Sequence, residues 1–397
     1  MKFDVASLKL TSILKSAFSI PNDLYFDSAQ LARSRGYGAS THHVTTKDGY
    51  IIALHRLLPP PNSSRGPPAR TAGAVLMMSS PFGSSSDFII NEPHQSLGYL
   101  LVDAGYDVWL GNFRGSRYGL NHTRLNDDDP RFWRYSFDEI AQFDLPAQVN
   151  FVLERTGEAK IFFFCYSAST MAFFMSGTPK TSFMNKIRLA VTFAPIGDCR
   201  HPTKYIRTSA RLMLIIQDVA EKVTRGPLYR GSDLLSSVLY ALCHGGSPFR
   251  RICVFVVTSL MGGTNKGYYG KNGFPYALAS VLSGMSVKAL AHFAQQAFTP
   301  RLRMYDYGSP AANRAAYGFP TPPHYNMSDV TAPVVVCSAP NDSLMSLQDQ
   351  QMLMQDLPYF VKRILAPQKD YGHLDLVYAK NAKEVIYNEI IELMKNY

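Results

Sequence analysis

Five short apolar runs constrain this chain more than any other feature: AVLMMSS (74–80), YDVWLGN (106–112), KIFFFCYS (160–167), LAVTFAP (189–195) and PVVVCSAP (333–340). A strand with one face in water alternates apolar and polar residues, whereas near-continuous apolar runs of this length suit strands covered by helices on both sides. Helical patterns lie between the runs, so strand and helix alternate and a mostly parallel α/β sheet is expected. In FDEIAQFDLPAQVNFVLERTG, the spacing predicts a helix that buries Ile140, Phe143, Ala147 and Phe151 and stops at Gly157. Upstream, THHVTTKDGYIIALHRLL (41–58) reads as a hairpin around the turn Lys47-Asp48-Gly49, after a weakly structured start. From Thr203 to Tyr325 the rhythm breaks: the stretch is helix-rich, then rich in glycine and proline, with no clear strand series. The expected division is an N-terminal segment (1–35), a first core part (36–202), an inserted cap (203–325) and a second core part (326–397).

Composition narrows the functional classes. The 397 residues are 46% hydrophobic and 18% charged, with apolar residues spread throughout, which excludes a disordered chain and supplies a large core. A formal charge of +10 and a pI near 9.2 favour anionic surfaces, lipid headgroups among them. The basic residues are scattered and not interleaved with aromatics, so a nucleic-acid partner is not expected. The five cysteines form no C-x-x-C pair and have no histidine at ligand spacing, so neither metal nor cofactor is expected. Cys243 and Cys253 enclose a short loop and are open to one disulfide if the protein is exported. Asp4, Lys9 and Lys15 interrupt the N-terminal apolar residues, so no signal peptide is evident. The most apolar stretch, Cys253 to Met261, is too short to cross a bilayer. Asn62, Asn121 and Asn326 stand in N-x-[ST] sites that permit glycosylation.

The sharpest local signal for chemistry is IFFFCYSASTMAFFM, where an apolar strand runs into Ser167 and a helix of small and apolar residues follows. A nucleophile elbow has this form, with small residues two before and two after the serine so that strand and helix approach closely. Here those positions hold Cys165 and Ser169. Asp342 follows the run PVVVCSAP, and His373 follows VKRILAP (361–367), which reads as the last strand. The order Ser, Asp, His suits a fold that gathers all three at one sheet edge, with His373 as general base and Asp342 orienting its imidazole. His42, His43, His55, His122, His201 and His244 lack that context and read as surface or packing residues.

With those residues placed, the chain resembles the lysosomal acid and gastric lipase family from about Asp23 to its end. The resemblance rests on RGYGASTHHVTTKDGYIIALHR, LVDAGYDVWLGNFRGSRYG, RFWRYSFDEIAQFDLPAQVNFVLERTG, YDYGSPAANRAAYGFPTPPHYN and YGHLDLVYAKNAKEVIYNEIIELM. It implies a capped α/β-hydrolase fold and neutral-lipid substrates, acylglycerols or sterol esters, met at a lipid–water interface. It also implies Ser167, Asp342 and His373 as the triad, a Cys243–Cys253 cap disulfide and a secreted or lysosomal location. The cap would cover an acyl-chain groove, for which Phe249, Met261, Tyr268 and Tyr269 are candidates.

Two departures touch the reaction centre. Ser79-Ser80-Pro81 stands where the family has His-Gly-Leu, and Cys165-Tyr166-Ser167-Ala168-Ser169 where it has Gly-His-Ser-Gln-Gly. The resemblance places the oxyanion-hole N–H groups at Ala168 and position 81, and proline has no N–H to give. Loss of one such donor costs about 10² to 10³ in turnover. A hydroxyl of Ser79, Ser80 or Ser84, or the N–H of Phe82, would have to replace it. The expectation is therefore a serine ester hydrolase with a weakened oxyanion hole, against the alternative of a non-catalytic lipid-binding protein on the same scaffold.

Overall fold

A computed structural model describes residues 5–61, 72–177, 182–263, 269 and 273–397. The hairpin forms as β1 (Gly38–Thr45) and β2 (Tyr50–Leu58), antiparallel, with Gly49 in the turn at φ +102°. The five apolar runs become β3 (Ala74–Met78), β4 (Asp107–Gly111), β6 (Ile161–Tyr166), β7 (Ile187–Phe193) and β10 (Val334–Ser338), and β11 (Phe360–Leu365) closes the series. A short β5 (Asn121–His122) pairs with β2. The sheet runs β1-β2-β4-β3-β6-β7-β10-β11, parallel from β4 onward. β3, β4, β6 and β10 are buried at every residue, because helices cover both faces. Two apolar clusters fill those layers, one on Val75, Phe162, Phe164 and Val191, the other on Leu76, Phe163, Phe173 and Ala190.

Three sequence expectations are corrected. The start is not weakly structured: it forms helices Val5–Ala17 and Ser28–Ser34, the second capped at Asp27 by a reciprocal box with Gln30. The first is held by packing, since Leu14 and Phe18 rest on the apolar core and Phe18 meets His244 edge-on. The helix before the elbow does not bury the expected face. Ile140 is buried, but Phe143, Ala147 and Phe151 are only half-buried, while Asp144, Leu145, Gln148, Val149 and Val152 are inside. A π-turn over Ile140–Asp144 adds one residue and rotates the later part of the helix, and Gly157 ends it in the left-handed region. Finally, the stretch between β7 and β10 contains strands: β8 (Pro227–Arg230) pairs antiparallel with β9 (Gly284–Ser286).

The same stretch carries helices Lys204–Thr224, Asp233–Cys243, Arg250–Met261, Gly273–Val281, Val287–Gln296 and Pro310–Tyr317. Cys243 and Cys253 are joined by a disulfide, and Cys165, Cys199 and Cys337 are buried thiols. Among the described residues, no helix is long and apolar enough to cross a membrane.

Candidate active site

β6 delivers its last residues to the carboxyl edge of the sheet, and the chain reverses into helix Ala168–Met175 within one residue. Ser167 makes that reversal at φ 59°, ψ −129°, a region disfavoured for a residue with a Cβ and worth about 1–3 kcal/mol of strain. The surroundings hold it there. Its N–H donates to Phe193 O at 2.9 Å, and its carbonyl accepts from Thr170 N at 2.9 Å and Thr170 Oγ1 at 2.6 Å. Every residue of the following helix is buried, and Ala168, as its first residue, has no helical acceptor for its N–H.

Ser169 stands where close strand–helix approach calls for glycine, and the structure absorbs its hydroxyl. The oxygen accepts from Tyr166 N at 2.8 Å and lies 3.1 Å from Met78 O and 2.8 Å from Tyr166 O, stitching β3, β6 and the helix together. Cys165, the other replacement, lies inside β6 with its thiol 4.0 Å from Val191 O, and burial raises its pKa well above the usual thiol range.

Asp342 and His373 arrive on the loops after β10 and β11. His373 Nδ1 lies 2.8 Å from Asp342 Oδ2 and His373 Nε2 lies 2.7 Å from Ser167 Oγ. A neutral imidazole with its proton on Nδ1 donates to Asp342 and leaves Nε2 to accept the serine proton. The other oxygen of Asp342 accepts from Leu344 N at 2.8 Å, and Tyr166 OH donates to His373 O at 3.2 Å. All three side chains are buried, with Ser167 at 7% exposure.

A strap that sequence reasoning missed ties these loops together. Gly262 bridges Asp342, Gly263 N donates to Asn341 O at 3.2 Å, and His373 N donates to Met261 O at 3.1 Å. A Cβ on Gly262 would stand 1.9 Å from Asn341 O, so the close approach requires glycine there. A Gly-Gly pair directly after an apolar helix was the available signal.

The loop opposite the elbow is built differently. Ser79 Oγ donates to Asp87, as does Ser280 Oγ from helix Gly273–Val281, and Ser84 Oγ lies 3.0 Å from Ser280 Oγ. Burial pushes the Asp87 carboxyl up to about 6, against the lowering effect of the Ser280 and Ser79 hydroxyls. Of the groups expected to replace the missing N–H at Pro81, Ser79 and Ser84 are therefore engaged elsewhere. Phe82 N reaches back to Ser80 Oγ at a long 3.4 Å, while Phe82 O accepts from Ser283 N at 2.9 Å. Asp87 was not singled out in the sequence, although it is the lone acid in a serine-rich run.

The remaining sequence candidates are distributed as follows. Phe249 and Met261 line an apolar hollow, whereas Tyr269 packs edge-on against Phe274 at 5.2 Å. Tyr268 and Asn62 lie outside the described residues. Asn121 and Asn326 are exposed. Two of the other histidines have polar partners of their own: His55 bonds Ser85 and is pushed down to about 4 by burial, and His201 meets Asp349. Arg114, from the GNFRG segment, forms a buried bridge to Asp144 and Asp48 that joins the π-turn to the hairpin.

A parallel sheet with helices on both faces and an elbow serine at its carboxyl edge define an α/β hydrolase. Residues 28–92 match the family described as partial alpha/beta-hydrolase lipase region. The chain is 31% identical to human lipase member M (Homo sapiens), over 95% of this chain and 87% of that one. It is also 31% identical to gastric triacylglycerol lipase of Bos taurus, over 92% and 90%. The monoglyceride lipase of Saccharomyces cerevisiae shares the fold at 12% identity and a TM-score of 0.52, covering 90% of this chain and 96% of that one. The chain belongs to the lysosomal acid and gastric lipase family, and its kinship supports a lipase function.

Proposed function

We propose that the chain is a serine ester hydrolase of neutral lipids, acylglycerols or sterol esters, with Ser167, His373 and Asp342 as its triad. The observation that carries the reading is the relay from Ser167 Oγ to His373 Nε2 at 2.7 Å and from Nδ1 to Asp342 at 2.8 Å. His373 takes the hydroxyl proton as Ser167 attacks the ester carbonyl, and Asp342 stabilises the imidazolium. His373 then protonates the leaving alcohol, and water attacks the acyl-enzyme with His373 again as base. Ala168 N–H, at the positive end of its helix, is one donor to the oxyanion. Pro81 supplies none, so turnover is reduced relative to a two-donor site.

In this reading residues 203–325 form the inserted cap, and its apolar hollow of about 450 Å³ receives the acyl chain. The hollow is walled by apolar side chains of helices Asp233–Cys243, Arg250–Met261 and Gly273–Val281, together with Leu374, the residue after His373 in sequence. Kinship with gastric lipases adds a secreted or lysosomal location to the proposal.

The test is hydrolysis of a short p-nitrophenyl ester and of emulsified triacylglycerol, each beside a Ser167→Ala control. Activity lost in the control is the expected result. Folded protein that binds fatty acid but hydrolyses neither substrate above the control would overturn the reading in favour of a lipid carrier.

A further inference from the structure

The loop that carries His373 is held by groups outside the triad. His373 N donates to Met261 O at 3.1 Å, and its carbonyl accepts from Tyr166 OH at 3.2 Å. The residue before it, Gly372, lies so close to the strap that an added Cβ would stand 2.2 Å from Gly263 N. The contact requires glycine, yet glycine gives the backbone beside the imidazole the most conformational freedom and no side chain to anchor it.

Asp375 supplies the missing restraint. Its Oδ2 accepts from Gly372 N at 2.6 Å, and its own N–H donates to Gly372 O at 3.2 Å, closing a turn over His373 and Leu374. The carboxyl is buried and also takes a hydrogen bond from the hydroxyl of Tyr269, which follows the strap in the stretch between β7 and β10. The strap itself runs against the same oxygen, since a Cβ on Gly263 would stand 2.9 Å from Asp375 Oδ2. Burial pushes this carboxyl up to about 6, so at neutral pH the acid is kept inside at a cost to folding. An acid held at such a cost beside a reaction centre points to a role in the chemistry rather than in stability.

We infer that Asp375 is a positioning residue for His373. By accepting from Gly372 N it fixes the loop that aims the imidazole at Ser167, and through Tyr269 it ties that loop to the segment after helix Arg250–Met261. The inference rests on the triad reading and adds a second acid to it: Asp342 orients the ring, and Asp375 orients the backbone that carries the ring.

The experiment compares the full chain with its Asp375→Ala, Asp375→Asn and Tyr269→Phe variants, each checked for folding by circular dichroism. One readout is steady-state ester hydrolysis. The other is the low-field proton resonance of the His373 Nδ1–H that meets Asp342, assigned by its absence from His373→Ala. Asp375→Ala should lower kcat about a hundredfold with KM little changed, the usual result of misplacing a reacting group by about 1 Å, and should shift the resonance. Asp375→Asn, whose amide oxygen still accepts from Gly372 N, should keep most of the activity and the resonance. Tyr269→Phe should cost about tenfold in kcat, the worth of one hydrogen bond. A folded Asp375→Ala with wild-type kcat and an unmoved resonance would overturn the inference, as would an Asp375→Asn no better than Asp375→Ala, or a loss confined to KM. If Asp375→Ala does not fold, Tyr269→Phe decides, and an unchanged kcat and resonance in that variant would overturn the inference. A wild type that hydrolyses no ester would count against the proposed function instead, and the resonance would still report whether Asp375 sets the place of His373.

Discussion

The elbow at Ser167 and the loop at Pro81 both depart from the glycine pattern that the family resemblance implies, yet only at the elbow does a side chain fill the place. At the elbow, Ser169 puts its hydroxyl into the gap and satisfies Tyr166 N, so the strained turn remains fixed. In the loop, Pro81 removes a donor and the neighbouring hydroxyls are drawn away, Ser79 to Asp87 and Ser84 to Ser280. A side chain can replace the space left by a glycine. It cannot as easily replace a backbone N–H at a fixed position.

The sharpest way to break this comparison is to remove the nucleophile. Ser167→Ala is expected to lower ester turnover by roughly 10⁴-fold or more while leaving the melting profile intact, read by steady-state kinetics and circular dichroism. An Ala variant that keeps a tenth of the activity would remove the elbow from the chemistry. The next largest effect belongs to the loop. Pro81→Ala returns an N–H, and kcat should rise roughly tenfold to a hundredfold with KM little changed, because an oxyanion donor acts mainly on the transition state. No gain would mean that another donor, such as Phe82 N–H, already fills the role.

Asp87 sharpens the comparison through pH. Its carboxyl stands at about 6 in the folded chain against an ordinary 3.8, so folding favours the protonated form. That contribution is complete below about pH 4 and is lost as pH rises through 6, an effect on the order of 2–3 kcal/mol. Asp375, also raised to about 6 by burial, acts in the same direction. Denaturant melts should therefore show the wild type losing stability from pH 4.5 to 7.5, and Asp87→Asn losing less; an unchanged slope would exclude Asp87 as a source. The smallest effect is at the elbow. Ser169→Ala leaves Tyr166 N buried without its acceptor and should cost roughly 1–3 kcal/mol of stability, with Ser169→Thr no substitute because space there is limited.

The sheet was legible in the sequence because its strands are buried on both faces, and burial leaves continuous runs such as IFFFCY and AVLMM. Ser167 and Asp342 could be placed for a related reason, since each follows such a run, whereas His373 follows the largely exposed edge strand β11 and was placed by chain order and family resemblance. What was not legible depends on contacts distant in sequence. Asp144 is inside because Arg114 is there to meet it, and the π-turn that carries it rotates the helix away from the face that spacing alone predicted. β8 and β9 are short strands far apart in sequence, and neither has a pattern long enough to read. Asp87 was missed because one of its two partners, Ser280, lies far away in sequence, although Ser79 is close by in the same serine-rich run.

The central claim is that His373 activates Ser167 as a nucleophile, and covalent labelling tests it most directly. Intact-mass and peptide analysis after exposure to a fluorophosphonate should show a single adduct on Ser167. The adduct should be absent from Ser167→Ala and form far more slowly in His373→Ala. An unlabelled Ser167 in folded protein, or labelling that proceeds at the same rate without His373, would contradict the account.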